Sequence, residues 1–213
     1  MRRALAVAAL LALAACRTTR PPNAPPLAPL TSTTASDAAR QLALRRSEFQ
    51  GERSMIRVRL PQISARGQLQ VDSSGRMLMT VYSPLGTTLA RLFVDRDEVI
   101  FLDDFHSTAW RGRPSDLNGN LAMFGNSALP LLLVGLPVPG VSDIAYAPSG
   151  IQNVRVADVD VTYDPPVYPP KVVAIDRGAQ HMEIEHLDSY ADSTAVQAPR
   201  VPGDYRCCVL PQM

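Results

Sequence analysis

The sequence predicts a mainly β (α+β) domain: a curved antiparallel sheet or incomplete β-barrel of about ten strands, with an N-terminal helix and a helical insertion as lid. Three observations carry this. After Gly51 apolar residues alternate with polar ones at a period of two through most of the chain. Short clusters of Gly, Pro, Asp and Ser separate the alternating runs. Between Pro114 and Gly140 the alternation stops and short, strongly apolar segments replace it.

The first folded element is helical. Ser36-Asp37 supplies an N-cap and an acid for the first turn. Ala39, Leu42 and Phe49 recur at helical spacing, with Arg and Glu on the other faces, which predicts a helix over about 37–49 that ends at Gly51. Period two then takes over. Ile56, Val58 and Leu60 alternate with Arg57 and Arg59, and Leu69 and Val71 alternate with Gln68 and Gln70. Met77, Met79 and Val81 share one face of the next run, and Leu78, Thr80 and Tyr82 share the other. Runs over 89–94, 99–102 and 108–111 follow, with turns at 72–75, 83–86 and 95–97. One hairpin after another is the pattern of an antiparallel meander. Strands apolar on both faces, around Leu78 and Leu92, are either covered on both sides or line an apolar cavity.

In the insertion, Ser115 or Asp116 caps a short helix through Leu121, Ala122 and Phe124, and residues 128–134 suit a second with Pro130 in its first turn. Helices this apolar must pack on the sheet or plug it. Strands resume over 144–147, 151–156 and 159–163. Pro165, Pro166, Pro169 and Pro170 bracket a rigid connection, and 171–176 with 181–187 form a closing hairpin around Arg177-Gly178-Ala179. Residues 191–213 read as a loosely attached polar tail.

A chain of 213 residues suits one substantial domain. Its 21 Lys and Arg nearly cancel its 20 Asp and Glu, and no basic block follows the extreme N-terminus. No nucleic-acid partner is expected. No Gly-rich phosphate loop opens a helix. Ser83 precedes a proline and leads into another strand, unlike the strand-to-helix elbow of a nucleophilic serine. His181 and His186 are five apart and point to opposite faces of a strand, so they do not converge on a metal. His106 sits in a hairpin turn, and Asp158 and Asp160 are outward residues of a strand. Trp110 belongs to the core or its rim. No cofactor, metal or catalytic group is expected.

The N-terminus reads as a targeting segment. Met1-Arg2-Arg3 is a positive n-region, residues 4–12 are an apolar run too short to span a bilayer, and Leu13-Ala14-Ala15-Cys16 closes it. This resembles a bacterial lipoprotein signal over 1–15 with Cys16 as the lipidated residue; the plainer reading is an ordinary secretory signal cut nearby. Several acyl chains on Cys16 make a firm anchor. Residues 16–35, rich in Pro and Thr, read as an extended tether to a domain over 36–190. Cys207 and Cys208 are adjacent in the tail, which suits a bridge between molecules or no function at all.

The turn Ser83-Pro84-Leu85-Gly86 carries a leucine where turn tips are usually polar. The residues leave open whether Leu85 projects or folds back into the core. A lipoprotein signal, a Pro-rich tether, a helix and a meander containing Pro84-Leu85-Gly86 resemble the outer-membrane lipoprotein receptor LolB and its relatives. Residues 131–140, LLLVGLPVPG, and 171–187, KVVAIDRGAQHMEIEHL, are similar to that family's helix and terminal hairpin. The resemblance covers roughly 37–190. It implies an incomplete barrel with a helical lid and an apolar cavity, acyl chains of lipoproteins or other lipids as cargo, and a LolA-like periplasmic carrier as partner. It implies that Pro84, Leu85 and Gly86 form a membrane-insertion loop. Leu69, Val71, Met77, Met79, Val81, Leu89 and Phe93 are the expected cavity liners, and Leu132 and Leu133 the lid contacts. Met77 and Met79 stand in strands where the family's receptors tend to carry aromatics, and the tail with Cys207-Cys208 has no counterpart. The expectation is a non-enzymatic, lipid-anchored envelope protein, facing the periplasm from the outer membrane, that binds acyl chains in lipoprotein localisation or lipid transfer. The alternatives are an accessory lipoprotein of an envelope complex, which needs no lipid ligand, and an envelope hydrolase, for which no convergent polar site is visible.

Overall fold

The computed structural model describes residues 24–141 and 143–207. The leader over 1–15, Cys16 and Cys208 lie outside the described residues. Helix α1 (Ala35–Glu48) begins two residues before the sequence expectation, because Thr34 caps it: its Oγ1 accepts from the Asp37 amide at 3.2 Å. Asp37 in the first turn and Arg45 and Arg46 in the last complement the helix dipole. Only Ala38 and Leu42 of α1 are buried, on a face laid against the seventh and eighth strands.

Six strands form consecutive hairpins: β1 (Gly51–Leu60), β2 (Ile63–Asp72), β3 (Met77–Tyr82), β4 (Thr88–Val94), β5 (Val99–Asp103) and β6 (Thr108–Gly112). A second meander comprises β7 (Ile144–Ala147), β8 (Gly150–Val156), β9 (Val159–Tyr163), β10 (Val172–Arg177) and β11 (Gln180–Ala191). The two join where β11 pairs antiparallel with β1, and β12 (Arg206–Cys207) adds a parallel strand beside β6. The sheet of the described residues therefore runs β12-β6-β5-β4-β3-β2-β1-β11-β10-β9-β8-β7, and its two ends do not pair. This is an open, curved, mainly antiparallel sheet, the architecture of an incomplete barrel with a helix.

Two 3-10 turns (Pro114–Asp116 and Gly119–Gly125) and helix α2 (Leu129–Leu133) make up the insertion. All five residues of α2 are buried, and the Tyr163 hydroxyl donates to the Leu132 carbonyl at 2.7 Å. One apolar core joins α2, Met123 and Phe124 to Trp110 on β6, Leu69 on β2 and Ile151 on β8. The insertion thus closes an open sheet with side chains instead of hydrogen bonds. Each leucine fully buried there contributes about 1.5–3 kcal/mol.

A smaller apolar cluster lies on the outer face. Phe93, Ile100, Leu102 and Ala109 pack there with Val196, and Leu78 and Tyr205 close over them. The segment after β11 is therefore a strap, where the sequence suggested a loose tail. The Val196 amide donates to Asp72 Oδ2 at 3.0 Å, and the Tyr205 hydroxyl donates to Asp104 Oδ1 at 2.6 Å. This strap explains why β3 to β5 are apolar on both faces.

The described part of the expected tether is docked too. Pro26 bridges Tyr190 at the end of β11, and Leu30 packs against the main core. Arg45 clamps the Ala28 and Pro29 carbonyls at 2.7 and 2.9 Å while its guanidinium lies over the Tyr168 ring. A Pro-rich segment has few donors of its own, so it is held through its carbonyls.

Candidate functional site

The inner face gathers most of the expected liners. Leu69, Val71, Met77 and Met79 are buried in the main core with Leu132 and Leu133. Val81 follows them on β3, half-buried near the strand's end. Phe93 is a correction. Ala90, Leu92 and Val94 take the inner positions of β4, so Phe93 faces outward beneath the C-terminal strap. Leu89 stands at a register shift in the β3–β4 pairing, half-buried, and the alternation puts it on the side of Phe93. The inner face is filled. A cleft of about 580 Å³ beside β7 to β9 and one of about 360 Å³ beside β11 are lined by other residues.

The β3–β4 turn settles the position of Leu85, which is 88% exposed. The Gly86 amide donates to the Ser83 carbonyl at 2.9 Å, closing the turn, and Gly86 takes a positive φ of 84°. A Cβ at Gly86 would meet nothing within 4 Å, so its need is conformational. Ser83 Oγ accepts from the amides of Leu85 and Thr87, both at 3.2 Å. Pro84 brings no amide that needs a partner. The amides of the tip are thus all bonded within the turn, and its one large side chain reaches outward as an apolar group.

A buried polar cluster sits at the other end of β1, and sequence reasoning missed it. Glu52, Ser54 and Ile56 alternate along the inner face, and His186 and Ser189 face them from β11. Ser54 Oγ donates to Glu52 Oε1 at 2.7 Å and lies 2.9 Å from Ser189 Oγ. His186 Nδ1 is 3.5 Å from Ser189 Oγ and 4.0 Å from Glu52 Oε1. Burial pushes the Glu52 carboxyl up to about 7, against hydrogen bonds from Ser54 and Ser189. Burial pushes the His186 imidazole down to about 4, against a smaller upward pull from the Leu133 carbonyl. The carboxylate and the serine approach the same ring nitrogen, whereas a nucleophilic relay needs them on opposite nitrogens. The arrangement is therefore a buried hydrogen-bonded junction between β1 and β11. Extending the alternation back from Ile56 and onward from Ile184 would have found Ser54, Glu52 and His186.

Other singled-out residues fall where their types suggest. His181 faces outward, 2.7 Å from Asp176 Oδ1, on the side opposite His186. Asp158 and Asp160 are outward and pair with Arg177 and Arg155. Trp110 is buried in the main core. Among the described residues no group of His, Cys, Asp and Glu has a metal-holding arrangement, and no helix is long and apolar enough to cross a membrane.

No family model matches the chain, and no curated protein matches it. Solved structures resemble it weakly, and two of them illustrate the level of similarity. One is an uncharacterized conserved protein from Thermus thermophilus, with a TM-score of 0.43 at 10% identity, covering 80% of this chain and 98% of that one. The other is a LolA superfamily protein from Nitrosomonas europaea, with a TM-score of 0.43 at 10% identity, covering 77% of this chain and 96% of that one. At this distance neither neighbour assigns a function to the chain.

Proposed function

We propose that this chain is a lipid-anchored envelope protein that touches a bilayer through the β3–β4 turn and receives acyl chains at its inner face. The observation that carries the reading is Leu85, an 88% exposed leucine at the tip of a turn whose amides are already bonded. Burying it in lipid is worth about 1.5–3 kcal/mol, enough for reversible contact and too little for an anchor. Cys16 supplies the anchor at the outer membrane, facing the periplasm. The cargo is an acylated lipoprotein or another lipid, and a LolA-like carrier is the expected donor. Because α2 fills the inner face, an acyl chain enters by displacing the leucines of α2, apolar surface for apolar surface. Within this reading no bond is made or broken, and the protein is a binding protein rather than an enzyme.

The filled inner face also favours a second reading, an accessory lipoprotein that holds a protein partner and takes no lipid into its core. Native mass spectrometry with an acylated peptide separates the two. The first reading expects stoichiometric acyl binding by wild type and by Leu85→Glu, with delivery to vesicles lost only in the variant. Absence of acyl binding in both sinks it and leaves the accessory reading.

A further inference from the structure

Leu85 does not stand alone. Ile63 is 59% exposed and Phe105 is 72% exposed, and both sit at hairpin tips. In a meander the tips alternate between the two edges of the sheet. The β1–β2, β3–β4 and β5–β6 tips therefore share one edge, and each carries one large exposed apolar residue. Neighbouring tips in this set are two strands apart, about 10 Å. We propose that Ile63, Leu85 and Phe105 form a three-point rim that seats the protein on a lipid bilayer at the boundary of headgroups and acyl chains. The inference rests on the proposed role of Leu85 and adds two contacts to it.

Three features favour lipid as the occupant. The side chains are separate knobs rather than one continuous patch. A protein interface of ordinary size covers roughly 800 Å² on each partner around a packed apolar centre, which three spaced side chains do not supply. A fluid boundary accepts each knob independently. Several amides of two of the tips are also occupied locally. Besides the Ser83 bonds, the His106 amide donates to Asp103 Oδ1 at 2.9 Å, His106 Nδ1 lies 2.7 Å from Asp103 Oδ2, and the Phe105 amide donates to the Leu89 carbonyl at 3.2 Å. At the boundary of headgroups and acyl chains the bonded amides need no new partner, and the free carbonyls of the tips stay within reach of water and headgroup donors. The charges agree. Asp104 is held by Arg91 and the Tyr205 hydroxyl, and Asp103 by His106. Arg66, exposed on β2 three residues beyond Ile63, makes no ion pair among the described residues and is available to an anionic headgroup.

The test places one tryptophan at a time at the tips of the full chain carrying Cys16→Ser, which forms no acyl anchor. Ile63→Trp, Leu85→Trp and Phe105→Trp are each mixed with vesicles of phosphatidylethanolamine and phosphatidylglycerol containing brominated acyl chains. Asp97→Trp, on the opposite edge, is the control, and the buried native Trp110 is the common background. The rim predicts bromine quenching at 63, 85 and 105 and none at 97. It also predicts that Ile63→Ser and Phe105→Ser each weaken vesicle partition about tenfold. Quenching at 85 alone overturns the rim and leaves the Leu85 contact standing. Quenching at 63 and 105 without 85 overturns the three-point rim and the Leu85 contact on which it rests. Absence of quenching at all three overturns both.

Discussion

The two edges of the β1–β6 meander are built from the same hairpins and finished in opposite ways. At one edge the tips end in Ile63, Leu85 and Phe105, exposed and apolar. At the other edge the turns are polar, and one of them buries an acid and ties it down. Asp72 there is 2% exposed, yet its carboxylate accepts from the Ser74 and Arg76 amides, the Ser74 hydroxyl, the Arg76 guanidinium and the Val196 amide. Gly51 starts β1 so close to Asp192 that an added Cβ would lie 2.2 Å from its carbonyl oxygen, and both N- and C-terminal straps dock nearby. The difference teaches that stability and contact are separated in space. The tied edge holds the fold, and the apolar edge is free to meet another phase.

The largest effect is expected at Asp72. Burial alone raises its pKa, but the hydrogen bonds from Ser74, Val196 and Arg76 outweigh that and hold it below the usual carboxylate range. Asp72→Ala unties the β2–β3 turn and the C-terminal strap together and leaves buried donors unpaired. A loss of about 3 kcal/mol in urea unfolding is expected. A loss within ordinary surface scatter would mean that the tied edge does not carry the fold.

The second effect is in pH. Glu52, raised from 4.5 to about 7, contributes stability that is full below 4.5 and lost as pH rises through about 7. His186, lowered from 6.5 to about 4, contributes stability that is full above 6.5 and lost as pH falls through about 4. Between about 4.5 and 6.5 the two slopes oppose each other, so wild type is nearly level there. Glu52→Gln removes one slope. Its urea midpoint should climb with pH across that window, and the wild-type loss toward neutral pH, about 3 kcal/mol at most for this group, should vanish. Parallel pH profiles for the two proteins would contradict the junction described.

The smallest effect on stability belongs to the apolar edge. Leu85→Ser should change the unfolding free energy by less than about 0.5 kcal/mol, because an 88% exposed side chain loses almost no packing. A loss of several times that would place Leu85 in the core after all.

Much of this contrast was legible in the sequence, and the rest was hidden for identifiable reasons. The meander, the insertion and the apolar turn tip follow from period two, its interruption and Pro84-Leu85-Gly86. The facing of β4 was not fixed, because Leu89, Leu92 and Phe93 are apolar on both faces and alternation cannot tell which side a strap will cover. The straps themselves were invisible: Val196 is one of several scattered, aperiodic apolar residues in the tail, and the proline segment is held by Arg45, three turns into the helix that follows it. The junction was missed because polar Glu52, Ser54 and His186 occupy inward positions, and because a bulge at Leu187 brings Ser189 to the same face three residues after His186.

The most direct test of the central claim is amide hydrogen exchange on the full chain with and without vesicles of phosphatidylethanolamine and phosphatidylglycerol. The account predicts slowed exchange at the tips over 61–63, 83–87 and 104–107 when lipid is present, and no change in the turns over 73–76 and 95–98 on the other edge. Protection at the second set, or equal change at both edges, would contradict it.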